Sequence, residues 1–156
     1  MRHFVLVCSV LCASPLLAQS TVDRVFGPGA PCFSRTYDAA HLDAHPAQQV
    51  TMIVISADTE DMAHDATDDR LLLVDVITRD HKFPYSGIGY CAATSTGLAC
   101  LLEGDAGRFT LTEQDGRLRL DVGKDGLIFE GETDFLTLQG DQGDDRVFLL
   151  DAGICG

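Results

Sequence analysis

Residues 83–91, Phe83-Pro84-Tyr85-Ser86-Gly87-Ile88-Gly89-Tyr90-Cys91, open the stretch that decides the fold. A turn of small residues follows, then Gly97-Leu98-Ala99-Cys100-Leu101-Leu102, then Gly107-Arg108-Phe109-Thr110-Leu111-Thr112-Glu113. Short apolar runs bounded by Gly, Pro and Asp read as strands. The three runs predict three consecutive antiparallel strands, with Cys91 and Cys100 facing each other across the first hairpin.

Working outward, Arg117 to Val122 alternates apolar and charged residues with a clean period of two, the signature of a strand with one face in the core. Glu113-Gln114-Asp115-Gly116 before it is an Asp-Gly hairpin turn. Gly123-Lys124-Asp125-Gly126 reads as the next tight turn. Leu127–Glu132, Phe135–Gln139 and Arg146–Asp151 are further strands. Upstream, Gln49–Ser56 and Arg70–Asp80 are β-branched and leucine-rich runs of strand type. Between them, 58–69 is an acidic connection that lacks the register of a calcium loop. Ser34–His45 is the one helix candidate: Thr36 or Asp38 caps it, Ala39, Ala40 and Ala44 favour it, and Pro46 ends it. The pattern predicts an all-β fold, an antiparallel sandwich or small barrel of about eight strands with one short N-terminal helix.

The chain has 156 residues. Its first eighteen, a basic start and an apolar run ending at Ala18, read as a secretory signal peptide, leaving 19–156 as a single domain. The run is too short for a bilayer-spanning helix, so no membrane span is expected. The address implied is periplasmic or secreted. With 11 basic and 24 acidic residues the formal net charge is −13, and loss of Arg2 with the leader makes it −14. Such a chain repels nucleic acid and anionic lipid; a basic protein partner is compatible with it.

Removal of the leader also leaves four of six cysteines. An even number in an exported chain reads as two disulfides. Cys91–Cys100 and Cys32–Cys155 are the favoured pairs, the second tying the two chain ends together. No Cys-x-x-Cys motif suggests zinc. His41 and His45, four apart on the helix, would share a face, but isolated pairs of this kind usually meet solvent, and no metal or other cofactor is expected. Asp134, Asp141, Asp144 and Asp145 lie near glycine turns, where Asp supplies turn dihedrals more often than calcium ligands. No nucleophile elbow, phosphate loop or dinucleotide fingerprint is present, and the chain has no tryptophan to floor a sugar cleft. The expectation is a protein that is not an enzyme.

Two resemblances bear on function. Tyr-Asp-Ala-Ala-His-Leu-x-Ala-His-Pro at 37–46, the Gly-Tyr-Cys and Cys-x-x-Glu-Gly-Asp segments, and Asp-Asp-Arg-Val-Phe-x-Leu at 144–150 resemble uncharacterised exported proteins of alphaproteobacteria. That resemblance implies a periplasmic address. Ser86-Gly87-Ile88-Gly89-Tyr90 is similar to the Ser-Gly-x-x-Tyr loop of periplasmic lysozyme inhibitors, small disulfide-bearing β proteins. It implies a serine loop that enters the lysozyme cleft, with Ser86 the inserting residue, Tyr90 its support, and Gly87 beside them in the partner-binding motif. Read without the resemblance, Ser86-Gly87 is a β-bulge and Tyr90 a sheet residue beside the disulfide. The functional expectation is an exported binding protein, inhibitor-like, with a basic protein such as a lysozyme as partner. The alternative is an envelope protein of structural or small-ligand-carrying type.

Overall fold

A computed structural model describes residues 32–57 and 70–153. The expected leader, the acidic stretch 58–69 and Cys155 lie outside the described residues. Among the described residues, nine strands form one antiparallel sheet: β1 (Cys32–Thr36), β2 (Val50–Ala57), β3 (Arg70–Thr78), β4 (Tyr85–Ala93), β5 (Gly97–Leu102), β6 (Gly107–Gln114), β7 (Arg117–Glu130), β8 (Phe135–Leu138) and β9 (Val147–Gly153). Helix α1 (Ala39–Ala44) follows β1, and a 3-10 turn (Glu103–Asp105) separates β5 from β6. Neighbours in sequence are neighbours in the sheet from β1 to β7. β9 then joins β7 to β1, which closes an eight-stranded barrel, with β8 as one extra strand. The expected choice between sandwich and barrel is thereby resolved to a barrel.

Closure follows from the alternation of side chains. Leu72, Val74 and Val76 on β3, Leu98, Cys100 and Leu102 on β5, Phe109 and Leu111 on β6, and Leu118, Leu120 and Val122 on β7 are all buried. Eight strands enclose a space just wide enough for such side chains to fill. Phe109, Phe129 and Phe148 are the bulkiest of its fully buried side chains. Cys91 and Cys100 are direct partners in the β4–β5 register and form a disulfide, S–S 2.01 Å. Cys32 is disulfide-bonded too; the pairing expected for it, with Cys155, falls outside the described residues.

The N-terminal helix is shorter than expected, because Ser34–Thr36 belongs to β1. This strand pairs with β2 on one side and β9 on the other, so its backbone is saturated by barrel closure. Of the two candidate caps Asp38 serves, its Oδ1 accepting the His41 N–H at 2.8 Å. The turn expected at Gly123–Gly126 is absent: β7 runs through it as a single strand of 14 residues. A register shift against β6 absorbs the extra chain, and Gly126, at φ +83°, takes the bend. β7 consequently has two halves. Leu118–Asp121 pairs with β9, whereas Leu127–Glu130 pairs with β8 and reaches β4, where Glu130 opposes Ser86.

Candidate functional site

Ser86, Gly87 and Tyr90 lie inside β4, between β3 and the elements on its other edge, not in a projecting loop. The β3–β4 register runs unshifted from Val76–Tyr85 to Arg70–Cys91, so the bulge expected at Ser86-Gly87 is also absent. Alternation turns Tyr85, Gly87, Gly89 and Cys91 inward and Ser86, Ile88 and Tyr90 outward. The inward glycines have a packing reason. A Cβ on Gly87 would stand 3.0 Å from Leu102 Cδ2 and 3.1 Å from Phe129 Cδ1, and one on Gly89 would stand 3.0 Å from Phe109 Cζ. Two phenylalanine rings occupy the volume that side chains on β4 would need. The spacing Ser-Gly-x-Gly-Tyr therefore records barrel packing.

The outward residues of β4 belong to an apolar surface. Ile88 opposes Leu73 of β3, and Tyr90 sits between Leu71 of β3 and Leu101 of β5. Leu73, Ile88, Tyr90 and Leu101 are exposed. β5 ends at Leu102, and the chain leaves through the 3-10 turn while β4 continues back to Tyr85. The seam left along β4 is a groove of about 690 Å³. Leu73, Ile88, Ile128 and Phe135 line it, the last 69% exposed. Its charged lining residues are Glu103, Asp105 and Glu130, all acidic. Ser86 and Gly87 are in the groove, whereas Tyr90 lies on the adjoining face. Ser86 Oγ donates to Asp75 Oδ1 at 2.6 Å, which fixes the hydroxyl against its cross-strand neighbour.

No family model, curated protein or solved structure matches the chain. The site is consequently read from its own chemistry. The groove offers apolar contact area framed by negative charge, and its one hydroxyl is committed to a carboxylate. Below it, Tyr85 donates to Asp134 Oδ2 at 3.1 Å, and burial together with this bond holds the phenol above its ordinary pKa. Asp134 is thus engaged as a structural acceptor. Asp145 is similarly engaged: 4% exposed, it accepts the backbone N–H groups of Gln49 and Val50. Burial pushes its carboxyl above the usual range, against the pull of those two donors.

His41 lies in α1 and His45 is its C-cap; their rings come together and stack at 4.4 Å between centroids. Among the described residues no three His, Cys, Asp or Glu side chains converge on a metal position. No helix among them is long and apolar enough to cross a membrane. Ile88, Leu73, Ile128 and Phe135 were not singled out by sequence reasoning. The signal available was the unbroken Leu71-Leu72-Leu73 run, since a half-buried strand has no need of three consecutive leucines.

Proposed function

We propose that the protein is an exported, non-enzymatic binding protein that docks a basic protein across the outer groove of β4. One observation carries this: four exposed apolar side chains share a groove whose charged residues are all carboxylates. A contiguous exposed apolar surface marks an interaction site more often than solvated decoration. The acidic frame, on a chain of net charge −13, steers basic partners towards it. Export is supported by the Cys91–Cys100 disulfide, which persists in oxidising compartments, and by the leader-like start of the chain. Lysozymes, the partners implied by the serine-loop resemblance, have the required charge; docking here uses a sheet surface in place of an inserted loop. The alternative of a ligand-carrying barrel draws no support from the interior, where Phe109, Phe129 and Phe148 stand.

The test is interferometry with immobilised mature protein and a panel of basic exported proteins, lysozymes included, at low and at physiological salt. Saturable binding that weakens with salt and is lost in Ile88→Asp is the expected result. Absence of binding across the panel at low salt, or binding indifferent to Ile88→Asp, rejects the proposal.

A further inference from the structure

A second cavity, of about 340 Å³, opens where β1, α1, β9 and the start of β7 meet. In the barrel order this wall stands opposite β4. Its chemistry is the reverse of the groove's. Three guanidinium groups, Arg35, Arg117 and Arg146, line it against a single lining carboxylate, Asp144. This is unexpected where acids outnumber bases 24 to 11 and arginines have ready surface partners.

Those guanidiniums are only partly committed: Arg35 and Arg146 each spend one donor on the chain. Arg35 Nη1 lies 3.2 Å from Asp151 Oδ2, an exposed pair. Arg146 Nε donates to the Gly143 carbonyl at 2.9 Å. The Arg117 side chain has no hydrogen-bond or ion-pair partner among the described residues. Three guanidinium groups therefore border one small volume in which Asp144 is the single lining carboxylate.

The remaining walls combine flat rings, two apolar side chains and a few polar groups. Tyr37 stacks on His41 at 4.6 Å, and His41 on His45, with Arg35 Cζ 5.4 Å over the Tyr37 ring. Burial holds the Tyr37 phenol above its ordinary pKa, leaving it neutral. Gln48, 4% exposed, locks the arrangement. Its Nε2 donates to Val50 O at 2.8 Å, so its Oε1 is the acceptor and His41 Nε2, 3.0 Å away, carries the hydrogen. Val147 and Leu149, the outward residues of β9, supply an apolar floor. Asp144 Oδ2 stands 3.8 Å from His45 Nδ1 at one edge.

We propose that this cavity binds a small organic oxyanion, a carboxylate or phosphate carried on a compact flat body. Guanidinium forks match the two oxygens of either group bidentately. The ring column and the Val147–Leu149 floor take the body, and the volume falls in the range of small-molecule sites. The site is independent of the groove on β4 and of its proposed partner.

Amide NMR titrations of the mature protein with benzoate, phenyl phosphate and inorganic phosphate test it and separate the two anion types. Benzoate or phenyl phosphate is expected to give saturable shifts confined to Arg35, His41, His45, Arg117 and Arg146. Inorganic phosphate, which cannot use the floor or the rings, is expected to bind severalfold more weakly. Arg117→Gln should raise the Kd of the aromatic anion roughly tenfold or more, the scale of one charge-assisted contact. Its thermal midpoint should move little, because the Arg117 guanidinium has no polar partner in the described chain. Arg146→Gln should weaken binding similarly. No saturable shift with either aromatic anion at low millimolar concentration, or an unchanged Kd in Arg117→Gln, overturns the site. Inorganic phosphate binding as tightly as phenyl phosphate overturns the part given to the rings and the floor.

Discussion

Gly89 of β4 faces Phe109 of β6 across the barrel interior, so closely that a methyl group on the glycine would stand 3.0 Å from the ring's Cζ. Phe109 is 2% exposed and packed on all sides. The ring has little room to retreat. Gly89→Val is expected to destabilise the protein by about 1–3 kcal/mol, the usual cost of overpacking a filled core. Urea unfolding followed by circular dichroism measures it. A variant as stable as the parent would mean that the β4 glycines are not explained by ring packing.

The disulfide between Cys91 and Cys100 closes a loop with a sequence separation of 9 across one hairpin. By the chain-entropy account such a loop contributes roughly 3 kcal/mol by restricting the unfolded chain. The double variant Cys91→Ala, Cys100→Ala should lose about that much. Its hairpin register should survive, because the paired strands are also held by β3 and β6. A urea midpoint equal to the parent's would remove the crosslink from the account of stability.

Much of the barrel was legible because its strands follow rules local in sequence. Arg117–Val122 alternates, Asp115-Gly116 turns, and Cys91 and Cys100 sit at hairpin distance. β1 was not legible: it buries Cys32 and Phe33 at one end, and Ser34-Arg35-Thr36 looks like the lead-in to a helix. Its strand identity comes from β2 and from β9, the second a partner that sequence order does not announce. Gly123–Gly126 misled for the opposite reason, since turn residues there serve a bend within β7. The groove was half legible. Ser86 and Gly87 stood out as a motif, but Ile128 and Phe135 reach them only because β7 bends back to β4. The arginine cavity was not legible, because barrel closure alone gathers positions 35, 117 and 146.

Asp145 yields a prediction about pH. Its pKa in the folded protein is raised by burial, with the Gln49 and Val50 amides pulling it down less strongly. The folded state therefore takes up this proton at higher pH than the unfolded chain does. The contribution of Asp145 to stability falls as pH rises through that interval and grows as pH drops from neutral towards about 4, its unfolded value. Asp145→Asn cannot titrate, so the stability of the parent minus that of the variant should increase on acidification from pH 7. Urea titrations of both proteins across this range provide the measurement; a flat or opposite trend contradicts the assignment. Asp145→Ala, which orphans both backbone donors, should cost about 2–4 kcal/mol at neutral pH.

The groove on β4 makes a claim that can be tested before any partner is in hand. If Leu73, Ile88, Ile128 and Phe135 form one continuous apolar surface, a neutral solvatochromic dye should find it on the folded protein. Nile red suits this better than an anionic dye, which Glu103, Asp105 and Glu130 would repel. The parent should enhance its fluorescence, and Ile88→Thr with Phe135→Ser should abolish most of the effect. Both side chains are exposed, Ile88 at 39% and Phe135 at 69%, so the double variant should unfold within about 1 kcal/mol of the parent. Loss of dye binding together with loss of stability would place these residues in the core economy of the barrel. Loss of dye binding alone would place them in a surface kept apolar for contact. Glu103→Gln with Glu130→Gln separates the frame from the floor: dye binding should persist, while association with a basic protein should slow severalfold at low salt and change little at high salt, where its charges are already screened.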